Sequence, residues 1–380
     1  DKKGRHLTLS GDSIEGSDIS AGDKQAYQEF QRLMLKFSRL LAKAFAARAP
    51  KLVESNLLDR FNLARLGLDM KLLGKRDMSE LLRLALINMY DVMEERFDNE
   101  QLKALLSLDG VLGSHMGPRS PNTVFGYLYR RLGDVYGYQG PAVVRGGMGG
   151  VTQAMLAAAS AAGVTVRCAA TVTRVLVEEG RAQGVELGAG ERLRATLVVS
   201  NADPRTTLDK LVGARYLETG VVRRVAGIRM QGDCAKLHLA LEGLPAFTGL
   251  SEAQMGQRIV IAPSMQYIEK AFNHSKYGEY STTPALDISI PTLHDASLAP
   301  AGKHVLSALV QFAPYDLRAG WDARREDFKQ SLIKLLEEYA PGLGQQIVAS
   351  ELLTPVDLER EFGMSGGHWH HGEISLDQIM

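Results

Sequence analysis

Cysteine is nearly absent from these 380 residues: Cys168 and Cys234 are the only two. They lie far apart and form no CxxC, which excludes a disulfide framework or a cysteine-built zinc site and fits a reducing compartment. Both thiols are expected to be buried small residues. No apolar run approaches the roughly 18 residues needed to cross a bilayer, and the charged start Asp1-Lys2-Lys3-Gly4-Arg5 has no apolar segment behind it. An excess of either charge is also missing. Forty-four Lys and Arg balance forty-four Asp and Glu, so there is no basic footprint and nucleic acid is excluded as a partner. Repeats at periods of about 20 to 50 residues and low-complexity segments are absent too.

What is present is length and a changing hydrophobic period. A chain of 41.5 kDa exceeds the size at which one core usually stops growing, so two domains or interleaved lobes are expected. The opening HLTLSGDSIEGSDIS has the pattern of a strand and turn entered from an earlier domain, as in a truncated or processed chain. Residues 1–140 are otherwise mainly helical, with Phe30, Leu33, Met34, Phe37, Leu40, Leu41 and Phe45 at three- and four-residue steps. Helices are expected at MSELLRLALINMYDVMEERF and at NEQLKALLSL, the latter capped by Asn99 with Glu100 in its first turn.

In 141–213 a glycine turn, Arg145-Gly146-Gly147-Met148-Gly149-Gly150, leads into the helix VTQAMLAAASAAG. Its small residues suit close packing on a sheet, and Gly163 stands where a C-terminal cap is wanted. VTVRC, TVTRVLVEE, AQGVELG and RLRATLVVSN then have the pattern of short strands. Residues 214–345 alternate strands (AKLHLALEG, QRIVIAP, PALDISIPT, KHVLSALVQFAP) with helices (SMQYIEKAFNHSKYG, REDFKQSLIKLLEEYAPG), a lobe of helices on a mixed sheet. The class is α/β of the α+β kind.

Three motifs carry chemistry. The glycine turn before a helix brings bare backbone N–H groups to an anion or a flat ring, or is a tight turn with no ligand. Gly366-Gly367-His368-Trp369-His370-His371-Gly372-Glu373 gathers three imidazoles and a carboxylate. Its spacing matches no zinc pattern and no distant fourth ligand stands out, so no metal is expected. His368, His371 and Glu373 remain candidates for lining a cavity or shuttling a proton, beside the alternative of a solvated loop. His294-Asp295 is expected to be a turn in which Asp295 caps Ala296-Ser297-Leu298.

The order GGMGG, helix, ATVTRV, EEGRAQGVEL and LVVSNADP resembles the phytoene desaturase and amine-oxidase-like FAD-dependent oxidoreductases. The likeness runs on through DCAKLHLAL, IPTLHDASLAPAGKHV, QFAPY and TPVDLEREFGMSGGHWHHGEISLDQIM, and covers most of the chain from about residue 95. It implies a fragment of a two-lobe flavoprotein. Residues 141–213 would belong with the FAD domain, 214–345 with the substrate lobe and 346–380 with a segment returning toward the flavin. Gly146, Gly147, Met148 and Gly149, with Val172 and Val175 acting through backbone atoms near the adenosine, would be the cofactor contacts.

In that family the chain opens on a GxGxxG turn that faces the pyrophosphate, and it closes on a glycine-rich segment over the flavin. Neither occurs in these residues, so the flavin site is expected to be open at both ends and to hold FAD weakly. The implied activity is hydride transfer from an apolar, isoprenoid- or carotenoid-like substrate to FAD. The alternative is a non-catalytic binding or assembly protein of the same fold, and a metal-dependent hydrolase built on the histidine loop ranks third. A bacterial cytoplasm or a mitochondrial matrix is the implied compartment, with room for peripheral membrane contact and for a homo-oligomer.

Overall fold

The computed structural model describes residues 1–16, 18–48, 56–138 and 142–379. The boundary expected between 140 and 141 lies outside them. β1 (Leu7–Ser10) and β2 (Ser13–Gly16) form an antiparallel hairpin before the helical lobe: α1 (Ala21–Ala46), α2 (Leu57–Leu72), α3 (Lys75–Leu86), α4 (Met89–Arg96), α5 (Glu100–Val111), α6 (Thr123–Arg130) and the short α7 (Leu132–Val135).

The stripe expected on α1 is the core of this lobe. Phe30, Met34 and Phe37 are fully buried against Met89, Met93, Leu102 and Tyr127, while Phe45 is 57% exposed at the helix end. MSELLRLALINMYDVMEERF forms two helices because Asn88 accepts from the Asp91 N–H and starts α4 afresh. Asn99 caps α5 through the Leu102 N–H, as its sequence predicts.

α5 carries leucine on more than one face, and both faces are used. Leu102 and Leu106 enter the helical core. Ala104, Leu108 and Val111 pack on Ile268, Ala271 and Phe272 of α11 (Met265–Lys276), and on Ala285 and Phe312. α5 therefore joins the lobes.

Beyond α8 (Gly149–Ala161), β3 (Val172–Glu178), β4 (Arg181–Leu187) and β5 (Arg192–Arg194) make a small antiparallel sheet with β3 at its edge. Gly163, at φ +80°, closes α8. The expected close packing of α8 on a sheet is not found: it has no buried residue among the described ones. VTVRC and all of RLRATLVVSN beyond Arg194 form no strand, since no sheet edge among the described residues receives them; Val164, Leu197 and Val199 are exposed. Cys168 is exposed as well, contrary to its expected burial, whereas Cys234 is buried.

After α9 (Thr219–Gly227) comes the main sheet. It holds β6 (Cys234–Leu241), β7 (Ile259–Ile261), β8 (Ala285–Ser289), β9 (His304–Gln311) and β10 (Ile347–Leu353), in spatial order β10-β6-β9-β8-β7. It is antiparallel at every pairing rather than mixed. The alternation in β6 and β9 puts Leu237, Leu239, Leu306, Ala308 and Val310 on one face. They pack under Phe328, Leu332 and Leu336 of α12 (Trp321–Glu337). Each of those three fully buried side chains contributes about 2 kcal/mol of hydrophobic stabilisation. α10 (Glu252–Met255), α13 (Leu343–Gln346) and α14 (Pro355–Phe362) are connections.

The opposite face of the sheet meets the helical lobe through half-buried charge. Arg258 holds Asp287 and, at 2.7 Å, Asp109 of α5, and Arg130 of α6 adds a 3.2 Å contact to Asp109. Two arginines and two aspartates thus neutralise one another at a half-buried junction, with Arg130 at its exposed rim.

Candidate active site

Cys234 begins β6 directly opposite Gln311, which ends β9, so the start of one strand and the end of its neighbour share a corner of the sheet. The fully buried Gln311 ties a loop to that corner. Its Oε1 accepts from the Gly113 N–H at 2.8 Å and from the Cys234 thiol at 2.6 Å, and its Nε2 donates to the Ser114 carbonyl at 2.8 Å. Gly113 has φ +88°, and a Cβ there would lie 1.5 Å from Nε1 of Trp369, so only glycine lets the indole settle on this loop. Trp369 belongs to the 365–375 segment, itself stitched down by the Gly232 N–H to the Gly366 carbonyl and the Glu373 N–H to the Arg229 carbonyl.

These ties assemble a chain of ionisable groups that no single stretch of sequence contains. His115 Nδ1 is 2.8 Å from Oδ2 of Asp233, whose Oδ1 accepts from the Ser275 hydroxyl at 2.6 Å. The backbone N–H of His115 donates to Oε1 of Glu373 at 3.0 Å, and His368 Nε2 reaches the same oxygen at 2.9 Å. The His370 N–H donates to His368 Nδ1 at 3.3 Å. Nδ1 of neutral His368 is then the acceptor and Nε2 carries the proton. His370 Nε2 lies 3.2 Å from the Leu112 carbonyl and is likewise the protonated nitrogen.

Two polar atoms here are buried without a hydrogen-bond partner among the described residues: Oε2 of Glu373 and Nε1 of Trp369. Such atoms are costly in a finished core, since each keeps its desolvation penalty without a compensating bond.

Burial governs the electrostatics. It pushes the Asp233 carboxyl up to about 6 despite the opposing hydrogen bond from His115. Burial works to lower His115, but the Asp233 hydrogen bond and the Asp233 and Glu373 charges outweigh it, so the imidazole titrates above its ordinary value. His370 is lowered, chiefly by burial. The Asp233–His115 pair therefore holds a proton tightly, with Asp233 fixing the ring through Nδ1. Nε2 of His115 has no hydrogen-bond partner among the described residues, and its side chain is 16% exposed.

A cavity of about 290 Å³ opens between α5 and α6, lined by Leu112, Leu132 and Ile374 and, on its polar side, by the Asp109–Arg130 ion pair, Ser114 and His370. Gly110 and Gly126 form part of its wall, where a Cβ on Gly126 would meet the Gly110 carbonyl at 2.5 Å. Ser114 precedes His115, and His370 ends the Glu373–His368 chain, so the polar network reaches the cavity from both sides.

The structure brings His368 and Glu373 together but leaves His371 exposed, with φ 57°. His115, Asp233 and Ser275 are not apparent in the sequence, where 118 residues separate the dyad partners. The glycine turn lies elsewhere: its Gly146 N–H donates to the Asp295 carboxylate, and among the described residues no hydrogen bond from it or from β3 reaches the histidine cluster. Asp295 caps Ala296–Leu298 through the Ser297 N–H, as expected. Val175 is buried in β3 and Val172 half-buried. Among the described residues no group of three or more His, Cys, Asp or Glu is placed to hold a metal ion.

Along its whole length the chain is 32% identical to pyridine nucleotide-disulfide oxidoreductase domain-containing protein 2 of Rattus norvegicus, covering 69% of that protein. It belongs to this family. The Mus musculus protein of the same name is 34% identical over 76% of the chain, which spans about half (52%) of that relative's length. A neurosporene-forming phytoene desaturase of Cereibacter sphaeroides is 30% identical over 55% of the chain and 40% of the desaturase. No family model matches. Among solved structures, putrescine oxidase bound to putrescine overlaps 92% of this chain and 66% of its own at 16% identity, with a TM-score of 0.48.

FAD is the cofactor that the resemblance to phytoene desaturases implies. The residues of this family member fit such a group on one side. Gly146 and Gly147, at φ +78° and +77°, expose a turn before α8, and a Cβ on Gly146 or Gly149 would meet nothing within 4 Å. Met148 is 71% exposed beside them. β3, as an edge strand, has one row of backbone groups without a strand partner among the described residues.

Proposed function

We propose that this chain forms the substrate-facing part of an FAD-dependent dehydrogenase or desaturase acting on an apolar, isoprenoid-like molecule, with His115 as the group that takes a proton. The observation that carries this reading is the His115–Asp233 dyad, whose network borders a mostly apolar cavity in a member of an oxidoreductase family. FAD, when bound, accepts a hydride from a substrate C–H. The turn Gly146–Gly149 and the β3 edge at Val172 and Val175 would hold the cofactor.

The protein's own part is to orient and to exclude water. Leu112, Leu132 and Ile374 enclose the apolar body of the substrate. Asp233 keeps the His115 ring in the tautomer that leaves Nε2 free to receive the proton released from the carbon next to the hydride-donating one, so that a C=C bond forms. Glu373 and His368 hold the His115 backbone in place.

The test is to purify the full-length protein and its His115→Gln variant. Both are expected to show the same visible flavin band, with flavin reduction by an isoprenoid hydrocarbon slowed about 100-fold or more in the variant. A colourless wild-type protein, or a variant that reduces flavin at the parent rate, would overturn the reading and favour a non-catalytic binding or assembly role.

A further inference from the structure

α2 is apolar on two opposite faces. At 100° per residue, Leu57, Phe61, Leu68 and Leu72 fall within an arc of about 60°, and they are 84%, 63%, 56% and 74% exposed. On the other side, Asp59 is buried and Leu63, Leu66 and Met70 are half-buried. The inward face therefore accounts for the packing of α2, and the outward one is left without a partner among the described residues.

Charge says what suits that outward face. Arg65 and Lys71 flank the stripe on α2, and Lys75 and Arg76 follow it at the start of α3, all exposed and none in an ion pair among the described residues. The nearby acids are consumed: Asp59 is buried, Asp69 pairs with Lys43 at 3.0 Å, and Asp77 pairs with Lys36. In a protein with equal numbers of acidic and basic residues, this is a local positive surplus around large apolar side chains. A second copy of the same face would bring like charges together. An anionic lipid surface would instead bury the leucines and phenylalanine at the headgroup boundary and pair with the cations. No helix among the described residues is long and apolar enough to cross a membrane, so such contact is interfacial.

We infer that the outward face of α2 docks the protein on anionic bilayers. The inference is independent of the flavin reaction, since binding is read without turnover. The full-length protein is mixed with vesicles of equal phosphatidylglycerol and phosphatidylcholine, or of phosphatidylcholine alone, and co-sedimentation is measured at low and high salt. Binding is expected to the anionic vesicles only and to fall with salt. Combining Phe61→Gln with Leu68→Gln, or Arg65→Gln with Lys71→Gln, is expected to weaken it about tenfold or more. The salt and lipid comparisons need no variant, so misfolding of one leaves the test intact. Absence of binding to anionic vesicles, equal binding to neutral ones, or a dimer by light scattering that Phe61→Gln dissolves would each overturn the inference.

Discussion

Replacing Asp233 by asparagine removes a carboxyl and keeps its shape, so the change isolates what the buried proton does. Burial lifts the Asp233 carboxyl from 3.8 to about 6. At about 1.4 kcal/mol per unit, that is about 3 kcal/mol of pH-dependent stability. The folded state binds this proton more tightly than the unfolded chain does. The contribution is therefore fully present below the unfolded value of 3.8 and is lost as pH rises through about 6. His115 acts in the same direction, because its folded value is also raised, and the two titrate as a pair.

In Asp233→Asn the imidazole loses the partner that raised it, and burial, the largest influence on it, then favours the neutral ring. Its own contribution changes sign. The assay is urea unfolding of wild type and variant at a series of pH values between about 4 and 8. Plotting the difference cancels the carboxylates whose values are lowered, such as Asp357. The difference, wild type minus variant, should fall by at least about 3 kcal/mol across that window, because the change at His115 adds to the loss from Asp233. A flat or rising difference would refute the placement of the proton on this dyad.

Gln311→Leu leaves the Gly113 N–H and the Ser114 carbonyl buried without partners, and should lower stability by about 4 kcal/mol; a shift of the unfolding midpoint worth less than about 1 kcal/mol would show that water repairs the loop. Gly113→Ala sets a methyl against the Trp369 indole and asks alanine to adopt a left-handed backbone. It should cost about 3 kcal/mol and change the tryptophan fluorescence. Adding Trp369→Ala should return part of that loss, and strict additivity of the two changes would rule out the contact.

Local features were legible wherever one segment decides its own structure. The α1 stripe, the Asn99 and Asp295 caps and the glycine that ends α8 follow from neighbouring residues. β6, β8 and β9 follow from alternation that one buried face enforces. β10 was not legible, because as an edge strand its Val348 is 55% exposed and IVASELL shows no clean alternation. Strands were overread at VTVRC and ATLVVSN because β-branched composition predicts a strand without saying which edge will accept it. The His368–Glu373 pair could be found from a dense local motif. His115, Asp233 and Ser275 could not, since a helix, a strand start and a loop meet only after the sheet has formed.

That the corner of the sheet is built from residues 112–115, 229–234, 311 and 365–375 has a thermodynamic consequence. Occupancy of the adjoining cavity cannot be felt by a loop alone, because its wall includes the end of the helix that joins the lobes and a loop whose backbone is hydrogen-bonded to Gln311 at the end of a central strand. A molecule that binds there would stabilise the whole cooperative unit in proportion to the logarithm of its concentration over its Kd. The natural ligand would thus announce itself as a rise in melting temperature of the entire protein, before any reaction is known for it.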